Sequence, residues 1–278
     1  AAAAELATAG AEVIVADIRE ETGVGLPDGV TVLNGAAPLR ALGRSSVKGV
    51  DTAKHTNGSW VPVGKEACDL LLVSGGWSPV VNLSSHRGAK PVWNAEHACF
   101  LPGITSEPIF HSGSSAGIWN REDCEVSGER AARQAIGENE KSLQPGGWKT
   151  PIRPLYEVRL PNHNTKAFVD FQHDVTGDDV RLAQQEGFVS VEHLKRYTTL
   201  GMATDQGKMG NVIGLALMAD ALGKDIPDVG TTRFRPPYTP VAIGALAGRN
   251  VAAHFKPLRR TPLHDWNLRH GATMTEAG

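Results

Sequence analysis

Apolar positions recur with helical spacing most clearly between residues 168 and 212. There Val175-Thr176-Gly177-Asp178-Asp179 offers side-chain caps just ahead of Val180, Leu182, Ala183 and Phe188, which predicts a helix stopped by Gly187. Ser190, with Glu192 nearby, opens a second helix through Val191, Leu194 and Tyr197, punctuated by Gly201. A third begins near Lys208, and residues 211–222 form an almost uniformly apolar helix ended by Gly223.

Toward the amino end the period changes. Residues 1–9 read as a helix stopped at Gly10, and residues 12–16 as a strand that ends at Asp17-Ile18-Arg19. An acidic residue at such a strand end either takes the hydroxyls of an adenine ribose or caps the following turn. Residues 30–60 predict short strands and turns, with Asn57-Gly58 as a hairpin signal. The run Asp69-Leu70-Leu71-Leu72-Val73-Ser74-Gly75-Gly76 fits a parallel strand buried on both faces, its glycines turning the chain or admitting a ligand. Residues 108–117, ending in Gly113-Ser114-Ser115-Ala116-Gly117, read as a strand running into small residues ahead of a helix over 122–136. Backbone N–H groups at that helix start suit a pyrophosphate, or the residues simply turn the chain.

The charged, glycine-rich stretch 137–151 reads as a linker, 152–160 as an extended lead-in strand, and five prolines between Pro227 and Pro257 exclude long regular elements there, although 242–255 can hold one helix. The ends predict an internal segment of a longer protein, because the opening helix has no cap and no initiator Met or signal-peptide pattern precedes it.

Composition narrows the classes. With 28 Lys and Arg against 30 Asp and Glu, the net charge is −2, so no basic face invites nucleic acid. No apolar run of about 18 residues occurs, which argues against a membrane span. Cys68, Cys99 and Cys124 match no C-x-x-C pattern and read as buried or idle thiols of a reducing, cytoplasmic compartment. His86, His97 and His111 have spacings that suit no single helical face, so no metal site is expected.

The sequence VT, then EG-x-x-SVEHLKRYTTLGM, then DQGK resembles the middle region of the alpha subunit of heterotetrameric sarcosine oxidase and its amine-dehydrogenase relatives. It is also similar to small [2Fe-2S] domains with C-x-C before VT and C-Q-G-x-x-C after GM. On these anchors the cysteine positions fall on Asp170, Gln172, Asp205 and Gly210, none a thiol, so no iron–sulfur cluster is expected. Residues 69–79 and 108–117 resemble the cofactor motifs of two-dinucleotide reductases, and 260–275 the opening of an aminomethyltransferase-type folate domain, with Asn267 where relatives usually carry histidine.

The resemblance implies an α/β architecture: a partial FAD/NAD reductase-like domain at 1–145, a small helical cluster-free [2Fe-2S]-like domain at 151–230, and a linker with the start of a folate-binding domain at 231–278. It further implies NAD near Gly75, Gly76, Gly113, Ser114, Ser115 and Gly117, and FMN at a subunit interface near Lys195, Arg196, Thr198, Thr199, Thr204, Gln206 and Lys208. Tetrahydrofolate would belong to the complete subunit, with beta, gamma and delta partners and a small secondary-amine substrate. No self-sufficient catalytic set stands in the chain, so the hard step would belong to the flavin. Two classes stay open: a subunit of an oxidase or dehydrogenase of sarcosine, dimethylglycine or a proline-type amine, and a non-catalytic scaffold that holds NAD and docks partners.

Overall fold

A computed structural model describes residues 2–21, 25–147, 152–160, 166–249 and 257–275. The fold is mixed α/β, and the chain divides into two compact units, Ala1–Tyr238 and Thr239–Gly278.

The first unit opens with α1 (Ala2–Thr8) and β1 (Val13–Asp17), which pairs in parallel with β2 (Val30–Asn34) from Val13↔Val30 to Asp17↔Asn34. A three-stranded antiparallel sheet follows: β3 (Ala36–Gly43), β4 (Val47–Thr56) and β5 (Ser59–Glu66). Thr56 pairs with Ser59 across the expected Asn57-Gly58 turn. Both turn residues have positive φ, 50° and 79°, which matches the right-handed strand twist. After α2 (Asn82–His86), the short strands β6 (Val92–Asn94) and β7 (Cys99–Leu101) pair antiparallel. A 3-10 turn at Gly113–Ala116 then leads to α3 (Arg121–Ala135).

The core lies in the helical part. Strands β8 (Phe168–Asp170) and β9 (Val175–Thr176) form a small hairpin, and α4 (Gly177–Gln185) starts from a capping box. Thr176 accepts from the Asp179 N–H, while Asp179 accepts from the Thr176 N–H at 2.8 Å, so two orphan donors are satisfied by residues three apart. Helices α5 (Val191–Thr198), α6 (Asn211–Leu222) and α7 (Ile226–Val229) follow. Val180, Ala183, Leu194, Leu200, Leu215 and Met218 pack together with Phe100 of β7. Each such large side chain removed from water contributes roughly 1.5–3 kcal/mol. Leu200 comes so close to α6 that a Cβ on Gly214 would overlap its Cδ2.

The segment before β8 is tied in by charge. Arg181 of α4 grips Glu157 with both Nη atoms, at 2.9 and 3.1 Å, and Ile152 donates its N–H to the Glu96 carbonyl at 3.3 Å. In the second unit, α8 (Ile243–Ala247) and α9 (His264–Arg269) carry no buried residues, and the Trp266 and His270 rings stack at 3.9 Å.

Several elements differ from the sequence expectation. Residues 69–73 form no strand: Leu70, Leu72 and Val73 are 65, 62 and 78% exposed. An apolar run becomes a buried strand only between neighbouring strands, and among the described residues none flanks it. No strand precedes Gly113, and residues 152–160 form neither strand nor helix. Ser190 sits at the start of α5 but makes no side-chain cap, and Thr199, in the left-handed region, ends that helix ahead of Gly201. The third helix of this part starts at Asn211, three residues past Lys208.

Candidate functional site

At the end of β1 the Asp17 carboxylate is already taken. Arg19 donates its backbone N–H at 2.9 Å, Nε at 3.0 Å and Nη2 at 2.6 Å. The Arg19 hydrogen bonds hold the Asp17 carboxyl below its usual range, against burial, which acts the other way. Beyond the carboxyl ends of β1 and β2 lies a cleft lined by Ile18, Glu20, Asn34, Gly35, Lys54, His55 and Arg153. Glu20, rather than Asp17, is its acidic group.

The two glycine motifs approach one another through the Trp77 and Trp119 rings, whose centroids are 6.4 Å apart. Around Gly75 a Cβ would meet only open space, so no close approach requires a glycine there; Gly76 does need one, at φ +90°. Gly113 donates its N–H to Ser127 of α3 at 3.2 Å, and Ser115 Oγ donates to the Ser112 carbonyl at 2.8 Å. The start of α3 is not the phosphate cradle expected of it. Asn120 caps it by accepting the Asp123 N–H at 2.7 Å, and Glu122 and Asp123 occupy its first turn, which already counters the helix dipole. The described residues at 75–76 and 113–117 therefore do not by themselves fit a pyrophosphate.

Cys99 is buried and its thiol is pushed up to about 11 by the loss of water; Cys124 Sγ donates to the Ile118 carbonyl at 3.3 Å. His111 is held below its ordinary value by burial. Among the described residues no three His, Cys, Asp or Glu side chains are grouped to hold a metal.

The four positions aligned with cluster cysteines do converge. Asp170, only 5% exposed, accepts the N–H groups of Gln172 and His173 on Oδ1 at 2.9 and 3.2 Å, and that of Gly201 on Oδ2 at 2.9 Å. Gln172 Oε1 accepts the Asp205 N–H at 3.3 Å. At Gly210 even a Cβ would overlap the Val169 carbonyl oxygen. Side chains and backbone thus fill the ground where a cluster would cross-link these loops.

The expected flavin-facing residues are brought to one loop, but several are committed within it. Thr198 Oγ1 donates to the Leu194 carbonyl at 2.8 Å, and Thr199 Oγ1 to the Thr198 carbonyl at 2.6 Å. Gln206 Nε2 donates to the Ala203 carbonyl at 2.9 Å. Lys208 Nζ donates to Asp205 and Tyr238 carbonyls at 3.1 and 2.7 Å and lies 3.8 Å from the Tyr238 ring centroid, a cation–π contact. Thr204 is exposed. Residues 231–238, which sequence reasoning left without chemistry, pack here too; their prolines hide any periodic signal.

A family model for the sarcosine oxidase A3 domain matches residues 164–249. The sarcosine oxidase alpha chain from Rhizobium meliloti (strain 1021) is 38% identical over 99% of this chain and 28% of its own length. That from Corynebacterium sp. (strain P-1) is 34% identical over 99% of this chain and 30% of its own. An opine oxidase subunit from Agrobacterium tumefaciens (strain Ach5) is 26% identical over 64% of the chain and 40% of its own length. Among solved structures, an L-proline dehydrogenase from P. horikoshii superposes with a TM-score of 0.56 at 18% identity, covering 79% of this chain and 45% of that one, a likeness of fold. The chain spans 28–30% of the length of these sarcosine oxidase relatives and is similar to their alpha chains over 99% of its own residues.

Proposed function

We propose that this protein takes part in the flavin-dependent oxidation of a secondary amine, converting sarcosine to glycine, within an alpha subunit that joins beta-, gamma- and delta-type partners in the cytoplasm. The observation that carries the reading is the 38% identity over 99% of the chain to the alpha chain of a sarcosine oxidase. The three-domain division at 1–145, 151–230 and 231–278 belongs to the same proposal. Bound flavin would accept the electrons of the CH–NH bond. This chain's contribution would be to bind and orient it through the 198–208 loop, where Thr204 is exposed, and through Lys195 of α5. Transfer of the one-carbon unit to tetrahydrofolate would fall to the folate domain that residues 231–278 open. NAD would be held near Gly75, Gly76, Gly113, Ser114, Ser115 and Gly117 only with groups from elsewhere, and no step is routed through it.

A second reading, oxidation of a different secondary amine, is favoured by the 26% identity to an opine oxidase subunit. Co-expression with a beta-type partner, followed by a flavin spectrum and turnover of sarcosine beside an opine, separates them. A flavin spectrum with sarcosine turnover is expected. A flavin-free complex that oxidises neither amine would overturn both.

A further inference from the structure

The chain contains two Asn-Gly pairs, Asn34-Gly35 and Asn57-Gly58, and the fold treats them in opposite ways. Such a pair carries its own chemistry. The backbone nitrogen of the glycine can attack the side-chain carbonyl carbon of the asparagine, because no Cβ on the glycine shields the approach.

At Asn34 that nitrogen is held. Gly35 is buried and donates its N–H to the Arg19 carbonyl at 2.9 Å, and Asn34 pairs with Asp17 as the last residue of β2. Attack there requires the hydrogen bond to break and the end of the parallel ladder to open. Asn57-Gly58 instead forms the tip of the β4–β5 hairpin, where residues 54–59 are all exposed. Among the described residues neither the Gly58 N–H nor the Asn57 side-chain amide has a hydrogen-bond partner. A Cβ on Gly58 would meet nothing within 4 Å, so no neighbour resists rotation of the tip.

We propose that Asn57 is a spontaneous modification site, which loses its amide to give aspartate and isoaspartate while Asn34 keeps its own. A bond forms from the Gly58 nitrogen to Asn57 Cγ and the Cγ–Nδ2 bond breaks; ammonia leaves, taking up the proton that the Gly58 nitrogen gives up. Water then opens the cyclic imide. Attack at Cγ restores the ordinary linkage as aspartate, whereas attack at the main-chain carbonyl carbon leaves Gly58 joined to Cγ, so that the chain runs through Cβ. The second product lengthens the backbone by one carbon inside a two-residue turn whose geometry matches the strand twist only at its original length. The pairs Thr56↔Ser59 and His55↔Trp60 lie directly behind that turn. His55 has its ring centroid 5.3 Å from that of Trp60 and donates its N–H to the Gly35 carbonyl at 3.2 Å. With Lys54 it lines the cleft beyond β1 and β2, so a change at the tip reaches the cleft wall along β4.

Purified protein aged in mildly alkaline buffer and mapped by peptide mass tests the proposal, with a urea-unfolded sample aged alongside. In folded protein, conversion at Asn57 about tenfold faster than at Asn34 is expected, and in urea comparable conversion of the two. Equal rates at both sites in the folded protein, or an Asn57 that stays intact while the unfolded chain converts, would overturn it. The aged protein, separated by its added negative charge, should exchange the amides of 50–66 faster than Asn57→Asp, which carries that charge on an ordinary backbone. Exchange no faster than in that variant would overturn the reach from the turn to the cleft.

Discussion

Asp170 Oδ2 accepts the backbone N–H of Gly201 at 2.9 Å, a contact that joins positions 31 residues apart. Through it one buried carboxylate holds two loops, since its other oxygen takes the Gln172 and His173 N–H groups at 2.9 and 3.2 Å. A thiolate-bound cluster would link the same loops through metal; here they are linked through hydrogen bonds to an anion.

Removing that anion should be expensive. Asp170→Ala removes the acceptor of three N–H donors, of which that of Gly201 is buried, and is expected to lower stability by about 2–3 kcal/mol. Asp170→Asn, which keeps one acceptor oxygen, should cost about half as much. Urea midpoints of the two variants check the order, and an Ala variant as stable as the parent would show that the loops hold by packing alone.

A cysteine at Gly210 should not restore a cluster ligand. Its Cβ would overlap the Val169 carbonyl oxygen, so Gly210→Cys is expected to destabilise by about 1–3 kcal/mol. Iron and acid-labile sulfide should remain absent from both parent and variant after reconstitution. Stoichiometric iron in the parent would show that other residues supply the ligands.

His111 gives the fold a defined pH dependence. Burial holds its folded pKa below the ordinary 6.5, so the unfolded chain binds the proton at higher pH than the folded one. Its contribution to stability is therefore present above that value and is lost as the pH falls from 6.5 through the folded pKa. Urea midpoints measured across this window should fall with pH in the parent and fall less in His111→Gln. Identical slopes would mean the ring is protonated without cost.

Hydrogen exchange should be uneven along the chain. No residue of β1 is fully buried and its described sheet has two strands, whereas α6 buries six consecutive residues from Gly214 to Ala219. Amides of 13–17 and 30–34 are expected to exchange faster than those of 177–222. Equal protection would show that the amino-terminal sheet is closed by contacts other than these.

What is legible in the sequence is what is local. Thr176 and Asp179 lie three residues apart, so their capping box announces α4 directly; Asn57-Gly58 does the same for its hairpin. The run Leu70–Val73 misleads because burial of a strand is decided by its neighbours, which a one-dimensional pattern does not contain. Likewise Thr198, Thr199, Gln206 and Lys208 converge as expected, but nothing in their spacing shows that each spends its donors on nearby carbonyls. The pairing of β8 with β9 is too short for an alternating pattern, and it depends on Asp174 at φ 53°. The contact of Arg233 with Glu192 of α5 gives no signal in the sequence either, because it spans 41 residues.

The irregular segment ahead of β8 is anchored at Ile152 by the Glu96 carbonyl and at Glu157 by Arg181, with no ladder between. One residue more or fewer changes the reach of a chain by up to about 3.3–3.6 Å, more than the tolerance of either anchor. Between those two points, then, length is fixed while identity is free: Pro154 and Leu155 can vary, but a single inserted or deleted residue would force the chain to give up one of its moorings.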